Sequence, residues 1–278
     1  MSIIKPGIIF GNLVTVAAGF FLASKGVINY KLLLITLIGI SLIIASGCVF
    51  NNYIDRDIDK IMERTKNRVL VTKLMSEKIA IFYAIALGIL GSIVLFKTNL
   101  LTVIIALFGL FFYVVVYSLW LKRVSVYGII IGSIAGAIPP VVGYCAVANR
   151  IDLGAVILFF ILCIWQMPHS YAISIYRLDD YLKASIPVLP AKTSIYFTKL
   201  NMLIWIVTFT IAMSMLTLFG YTGYIYFTVI AFLSIFWIRI SIMGFKANNS
   251  NLWAKKMFFY SIMVIVVWSI MIYIDVRN

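Results

Sequence analysis

The sequence predicts an all-α protein that crosses a membrane repeatedly, a bundle of about nine helices, and three observations carry that prediction. Hydrophobic residues make up 64% of the chain and charged residues 12%, with a mean hydropathy of +1.10, whereas soluble domains carry about 25% charged residues. Apolar runs long enough to cross about 30 Å of hydrocarbon as helix recur from one end to the other. The apolar-polar alternation of a membrane barrel is absent. With no linker, low-complexity segment or soluble portion, residues 1–278 read as a single transmembrane domain.

The first span, 8–24, is opened by Lys5, Pro6 and Gly7, since proline suits a helix start and lysine reaches the headgroup level. One preceding lysine and the ending Leu22-Ala23-Ser24 weakly imitate a secretory signal, but the spans that follow make this a retained helix. Those spans are read at 32–54, 79–97, 100–121, 127–147, 153–176, 200–219, 223–243 and 257–275. Gly7 and Gly11, and Gly128, Gly132 and Gly136, recur every four residues, a spacing that reads as close helix packing. Pro139 and Pro140 remove two amide donors from the fifth span; they make either a plain bend or the wall of a polar cavity. Aromatic residues of the last three spans, such as Trp205, Tyr224 and Trp268, read as interfacial anchors and packing.

The net charge of +14 invites a nucleic-acid reading, but its distribution excludes one. With the N-terminus inside, eighteen of the 23 Lys and Arg residues fall in cytoplasmic loops or at their edges. This is the positive-inside bias, which explains the basicity without a polyanionic partner and puts the N-terminus in the cytoplasm. Cys48, Cys145 and Cys163 are isolated and lie within spans, so neither a disulfide framework nor a zinc site is expected.

Chemistry concentrates where the second span meets the first large loop. Asn51, Asp55 and Asp59 are spaced i, i+4, i+8 and fall on one stripe of a helix. Two carboxylates and an amide oxygen make a hard-oxygen set suited to Mg²⁺, which keeps coordination sites for water and phosphate. Arg64, Lys66 and Arg68 follow at once, cations of the kind that pair with phosphate. The alternative is a solvated loop whose acids cap a helix. Against that stands the crowding of four of the chain's nine acids into nine positions, Asp55 to Glu63.

Three further groups are candidates. Tyr117, Lys122 and Arg123 close the fourth span on the same side; the two bases are also the ordinary topology signal. Asp179 and Asp180 are the only acids of their loop and follow a span end as the first cluster does, either converging with it or standing as a solvated pair. Pro187 and Pro190 exclude a long helix through that loop. His169, the only histidine, lies in the sixth span within Trp165-Gln166-Met167-Pro168-His169 and reads either as a hydrogen-bonded core residue or as an iron ligand.

These residues resemble the UbiA-type intramembrane prenyltransferase superfamily, whose first signature, NxxxDxxxD, here reads Asn51, Asp55, Asp59. More closely, the chain is similar to the haem-farnesylating branch, the protohaem IX farnesyltransferases or haem O synthases. Matching stretches are KPGIIFGN at 5–12, SGCVFNNYIDRDID at 46–59, ERTKNRVL at 63–70, YSLWLKRVSVYG at 117–128, PPVVGYCAV at 139–147, WQMPHSYAI at 165–173 and IPVLP at 186–190. The resemblance implies a nine-helix bundle with a cytoplasmic-side cavity open toward lipid. It implies Asn51, Asp55 and Asp59 holding Mg²⁺ on a prenyl diphosphate, with Arg64, Lys66, Arg68, Lys122 and Tyr117 around the leaving group. It further implies farnesyl diphosphate and haem B as substrates, His169 beside the haem, the bacterial inner membrane as location, and delivery of product to a haem-copper oxidase. The departure is in the second signature: where many relatives have DxxxD, this loop has adjacent Asp179 and Asp180, which puts a second fully ligated metal in doubt.

Overall fold

The computed structural model describes residues 3–277. Among them nine helices are long and apolar enough to cross a membrane, which makes this an integral membrane protein. They are α1 (Pro6–Ser24), α2 (Tyr30–Ile54), α3 (Glu77–Phe96), α4 (Leu100–Val124), α5 (Gly128–Ala148), α6 (Leu153–Tyr176), α7 (Ile195–Leu218), α8 (Tyr224–Met243) and α9 (Ser250–Ile274). Starts are marked by side chains that satisfy free amides: Asn29, Ser76, Asn99, Asp152, Ser194 and Asn249 each accept from a backbone N–H of the first turn. α7 and α9 begin five and seven residues before the apolar runs suggest. The added residues include Lys199, Lys255 and Lys256; the first is buried and donates to the Gly244 carbonyl at 2.7 Å and the Ser250 hydroxyl at 3.0 Å.

The helices form one interlocked body. α2 packs on α3, α1 on α5, and α6 against α5, α7 and α9, while α9 also meets α1 and closes the ring. One continuous apolar core runs through it from Val16 in α1 to Ile272 in α9, whereas residues such as Phe82, Ile93, Phe232 and Phe259 face outward, as a lipid-facing surface requires. The close α1–α5 crossing rests on Gly19, where a Cβ would collide with the Pro140 carbonyl, and on Gly143, where it would collide with that of Val16. Small residues permit this approach, though these two lie outside the four-residue spacing; of the glycines that share it, Gly132 packs on the Tyr117 ring and Gly136 on the Gln166 amide, as expected, but those of α1 do not pack. Gly7 and Gly11 face open space and line a cavity instead. α5 runs unbroken through Pro139 and Pro140.

α4 holds the fold's largest departure from regularity: residues Phe112–Leu121 form a π-helix. An α-helix turns 100° per residue and would put Lys122 on the opposite side from Tyr113. Five-residue hydrogen bonding instead brings residues four and five apart onto one face. Tyr113, Tyr117, Ser118 and Lys122 therefore point together toward the end of α2.

Candidate active site

α2 ends at Ile54, Asp55 sits at φ −85°, ψ 3°, and a short helix follows over Arg56–Asp59. The expected stripe is thus broken at Asp55, yet its connectivity survives: Asp55 donates its N–H to the Asn51 carbonyl at 2.9 Å, and Asp59 to that of Asp55 at 2.8 Å. Asn51, Asp55 and Asp59 are all buried, at 5%, 2% and 3% exposure. Buried carboxylates demand partners; cations from two separate segments supply them, and a cation from a third reaches the Asn51 amide oxygen.

Lys122 pairs with Asp55 Oδ2, which also accepts from Asn51 Nδ2 at 2.8 Å. Arg68 donates to Asp59 Oδ2 at 2.5 Å, and the Thr65 hydroxyl to the Asp59 carbonyl at 3.1 Å. Asn51 Nδ2 also donates to the Ser118 hydroxyl at 3.2 Å. The third cation is Lys5, whose Nζ donates to Asn51 Oδ1 at 2.5 Å. Burial, reinforced by the neighbouring Arg68 cation, pushes the Lys5 amine down to about 8. Lys5 stands at φ 51°, and Asn52 anchors the segment before it by donating to the Ile3 carbonyl at 2.7 Å. Sequence reasoning left Lys5 at the headgroup level; the one signal that could have found it was its place at the head of the KPGIIFGN stretch.

The other cations divide. Arg123 grips Asp57 with both guanidinium nitrogens, at 2.7 and 2.8 Å, and also caps the Ile54 carbonyl. It braces the end of α2 rather than facing Asn51. Arg64 is exposed, and Lys66, also exposed, pairs with Glu63. Asp179 is exposed as well, while Asp180 Oδ1 accepts from the Glu63 N–H at 3.3 Å. The two loops do converge: Ile58 and Met62 of the first form one buried cluster with Ile186 and Val188 of the second.

Asp55 Oδ1 is buried and has no hydrogen-bond partner among the described residues, a bare carboxylate oxygen in a cationic setting. Among the described residues no three His, Cys, Asp or Glu side chains could cage a metal by themselves. The donor set therefore fits a hard cation that keeps water and phosphate oxygens in its shell, and does not fit an all-protein site.

Beside this cluster a cavity of about 640 Å³ reaches into the bundle, with Cys48, Tyr113 and Tyr117 at its acidic end and Trp165, Gln166 and His169 farther along. Its walls include exposed residues of α1 and α9, Phe10, Gly11, Ile262 and Val266, so it opens sideways, where the lipid lies. His169 is half-buried there, its ring 4.6 Å from that of Trp165 and 4.8 Å from that of Phe258. Charge at the membrane surface, aromatic rings beneath it and an apolar chamber suit an amphiphile with an anionic head.

Known proteins share this plan. The structure superposes on a digeranylgeranylglyceryl phosphate synthase with a TM-score of 0.77 at 19% identity, covering 96% of each chain. It superposes on a UbiA homologue of Archaeoglobus fulgidus bound to GPP and Mg²⁺ with a TM-score of 0.67 at 16% identity, over 98% of each. Similarity at that level concerns the fold. In sequence, the chain is 54% identical over 276 residues to the protoheme IX farnesyltransferase of Yersinia pseudotuberculosis serotype O:1b, covering 99% of this chain and 94% of that one. It is 53% identical, with the same coverage, to that of Photorhabdus laumondii subsp. laumondii. Residues 12–263 match the UbiA prenyltransferase family, and with its NxxxDxxxD acids buried at the mouth of a lipid-side cavity the chain belongs to that family.

Proposed function

We propose that this enzyme transfers the farnesyl group of farnesyl diphosphate to a vinyl group of haem B, releasing diphosphate and giving haem O. The observation that carries this is the 54% identity, over 99% of the chain, to protoheme IX farnesyltransferases; the buried acid-and-cation cluster at the mouth of an apolar cavity supports it physically.

The difficult event is ionisation of an allylic carbon–oxygen bond, which develops negative charge on diphosphate and positive charge on the prenyl carbon. Asn51, Asp55 and Asp59 would hold Mg²⁺, with the bare Asp55 Oδ1 as the leading donor; bound there, the metal supplies Lewis-acid charge to the leaving group. Lys5, Arg68 and Lys122, already fixed on these side chains, form a preorganised positive field for the diphosphate. Arg64 and Lys66 lie outside the buried cluster and serve its entrance. Tyr113 and Tyr117, with stacked rings 6.1 Å apart, line the cavity, and aromatic faces stabilise an allylic cation by about 0.5–2 kcal/mol each. The cavity wall excludes water until the vinyl carbon has bonded to the prenyl carbon, after which water adds to the resulting cation as the hydroxyl of the product and gives its proton to the released diphosphate. No side chain acts as nucleophile.

Residues 1–278 act as one domain, in the inner membrane with the N-terminus cytoplasmic, and the product passes to a haem-copper oxidase. The test is incubation of the purified protein with farnesyl diphosphate, haem B and Mg²⁺, reading the mass of extracted haem. Haem O formed by the wild type and lost in Asp55→Ala, with the variant still folded, is the expected result. Transfer to a quinone precursor but not to haem B would overturn the assignment.

A further inference from the structure

We propose that Ser261 fixes the tautomer of His169 and thereby presents the His169 Nε2 lone pair to the haem iron as an axial ligand. The inference rests on the reading of haem B as substrate and deepens it.

A hydrogen-bond count leads to it. His169 Nδ1 lies 2.8 Å from the Ser261 hydroxyl. That hydroxyl has one proton, and its oxygen also lies 2.6 Å from the Phe258 carbonyl, an oxygen that can only accept, so both contacts are hydrogen bonds only when the hydroxyl donates to the carbonyl. Toward His169, Ser261 can therefore only accept, so the ring proton resides on Nδ1. Ser261 is itself held: it is fully buried, and its carbonyl accepts from Trp165 Nε1 at 2.9 Å. Nε2 is left as an unprotonated nitrogen with no hydrogen-bond partner among the described residues, on a ring that lines the cavity.

The ring's surroundings restrict what that nitrogen can meet. Trp165 stacks on it with 23° between planes, and Phe258 packs against it at 35°. Aromatic neighbours thus occupy its π surfaces, and the in-plane lone pair on its edge is the remaining reactive direction. A neutral imidazole donating through one nitrogen with the other free is the form that binds a metal, and the partner of the donating nitrogen sets its orientation and basicity. The same cavity is lined by apolar Leu162, Ile262 and Ile265, and by Tyr117 at the acidic end. A porphyrin held through its iron at His169 would lie in the chamber that receives the prenyl chain.

The test uses the purified full-length protein titrated with haem B and reduced, reading affinity and the iron–histidine stretch by resonance Raman. The wild type should show that band, and His169→Ala should lose it and regain an imidazole-ligated spectrum when imidazole is added. Ser261→Ala should lower the band's frequency and weaken haem binding by about 10- to 100-fold, whereas Ser261→Thr, which keeps the hydroxyl, should retain both. A serine with a purely structural role would lower thermal stability and leave the band in place. Should Ser261→Ala not accumulate, ¹⁵N NMR of the chain's one histidine in the haem-free wild type reads the tautomer directly, and a proton on Nε2 overturns the proposal. Haem O formation together with an unchanged haem spectrum in His169→Ala overturns the ligation and leaves the reaction standing. A wild type that neither binds haem B nor makes haem O refutes the reaction itself.

Discussion

Replacing Lys122 with methionine is the sharpest test of the site, because this residue is asked to do two things. In the protein alone it neutralises Asp55, which is 2% exposed and whose Oδ2 would keep only the Asn51 amide as partner. Breaking a buried pair by removing one member costs about 3–5 kcal/mol. Lys122 has 19% of its side chain exposed, which places the loss toward the lower figure. In the reaction proposed above, the same ammonium would face a developing diphosphate charge. A unit charge about 4 Å away at an effective dielectric constant of about 20 is worth about 4 kcal/mol. Removing one preorganised donor from such a site costs about 10²–10³ in kcat. Lys122→Met should therefore lower the melting temperature in detergent without divalent metal, and Mg²⁺ should stabilise the variant more than it stabilises the wild type, since Asp55 then has another positive partner. Haem O formation at saturating Mg²⁺ and substrates, followed by mass spectrometry, should fall at least a hundredfold. A variant that melts normally and turns over within threefold of wild type would refute both the charge balance at Asp55 and the role of Lys122 at the leaving group.

Three other outcomes are expected. Lys5→Met should raise the KM for farnesyl diphosphate and lower kcat, together about tenfold or more in kcat/KM, while Lys5→Arg should recover part of the loss; steady-state kinetics with wild-type values would remove Lys5 from the site. Gly19→Ala should destabilise the protein by about 1–3 kcal/mol, because its methyl group meets the Pro140 carbonyl, whereas Gly11→Ala, with open space around it, should leave the melting temperature unchanged. The Arg123 guanidinium holds the Asp57 carboxyl down to about 2, below its unfolded value of about 3.9, so the pair's contribution is present above about pH 4 and is lost as pH falls toward 2. With 62% of the Asp57 side chain exposed, Arg123→Gln should cost about 1 kcal/mol or less, and the difference in melting temperature between variant and wild type should shrink between pH 7 and pH 3.

Much of the candidate site was legible in the sequence, for reasons that differ from residue to residue. Asp55 and Asp59 stood out because an acid beside an apolar span is costly unless it is used, and their four-residue spacing is a local property that survives the break after Ile54. Arg68 and Lys122 could be named as candidates but not separated from Arg64, Lys66 and Arg123, since all are basic residues at the same membrane face. Burial separates them: Arg68 and Lys122 reach the buried acids, Lys66 stays outside with Glu63, and Arg123 is taken by Asp57. Gly7 and Gly11 shared a packing motif's spacing with the glycines of α5, yet spacing alone does not say which face of a helix has a neighbour.

By itself the sequence determined what local chemistry and the hydrophobic effect can determine. It set nine crossings from the length of its apolar runs, and the family from stretches of specific residues. Only the tertiary structure decided which distant groups meet. Lys5 reaches Asn51 across 46 positions and His169 reaches Ser261 across 92, while a π-helical stretch turns Tyr113 and Lys122 to one side. The physical reason is that a membrane helix is stable in many orientations about its own axis. Packing against its neighbours, and the need to partner every buried polar atom, select one of them.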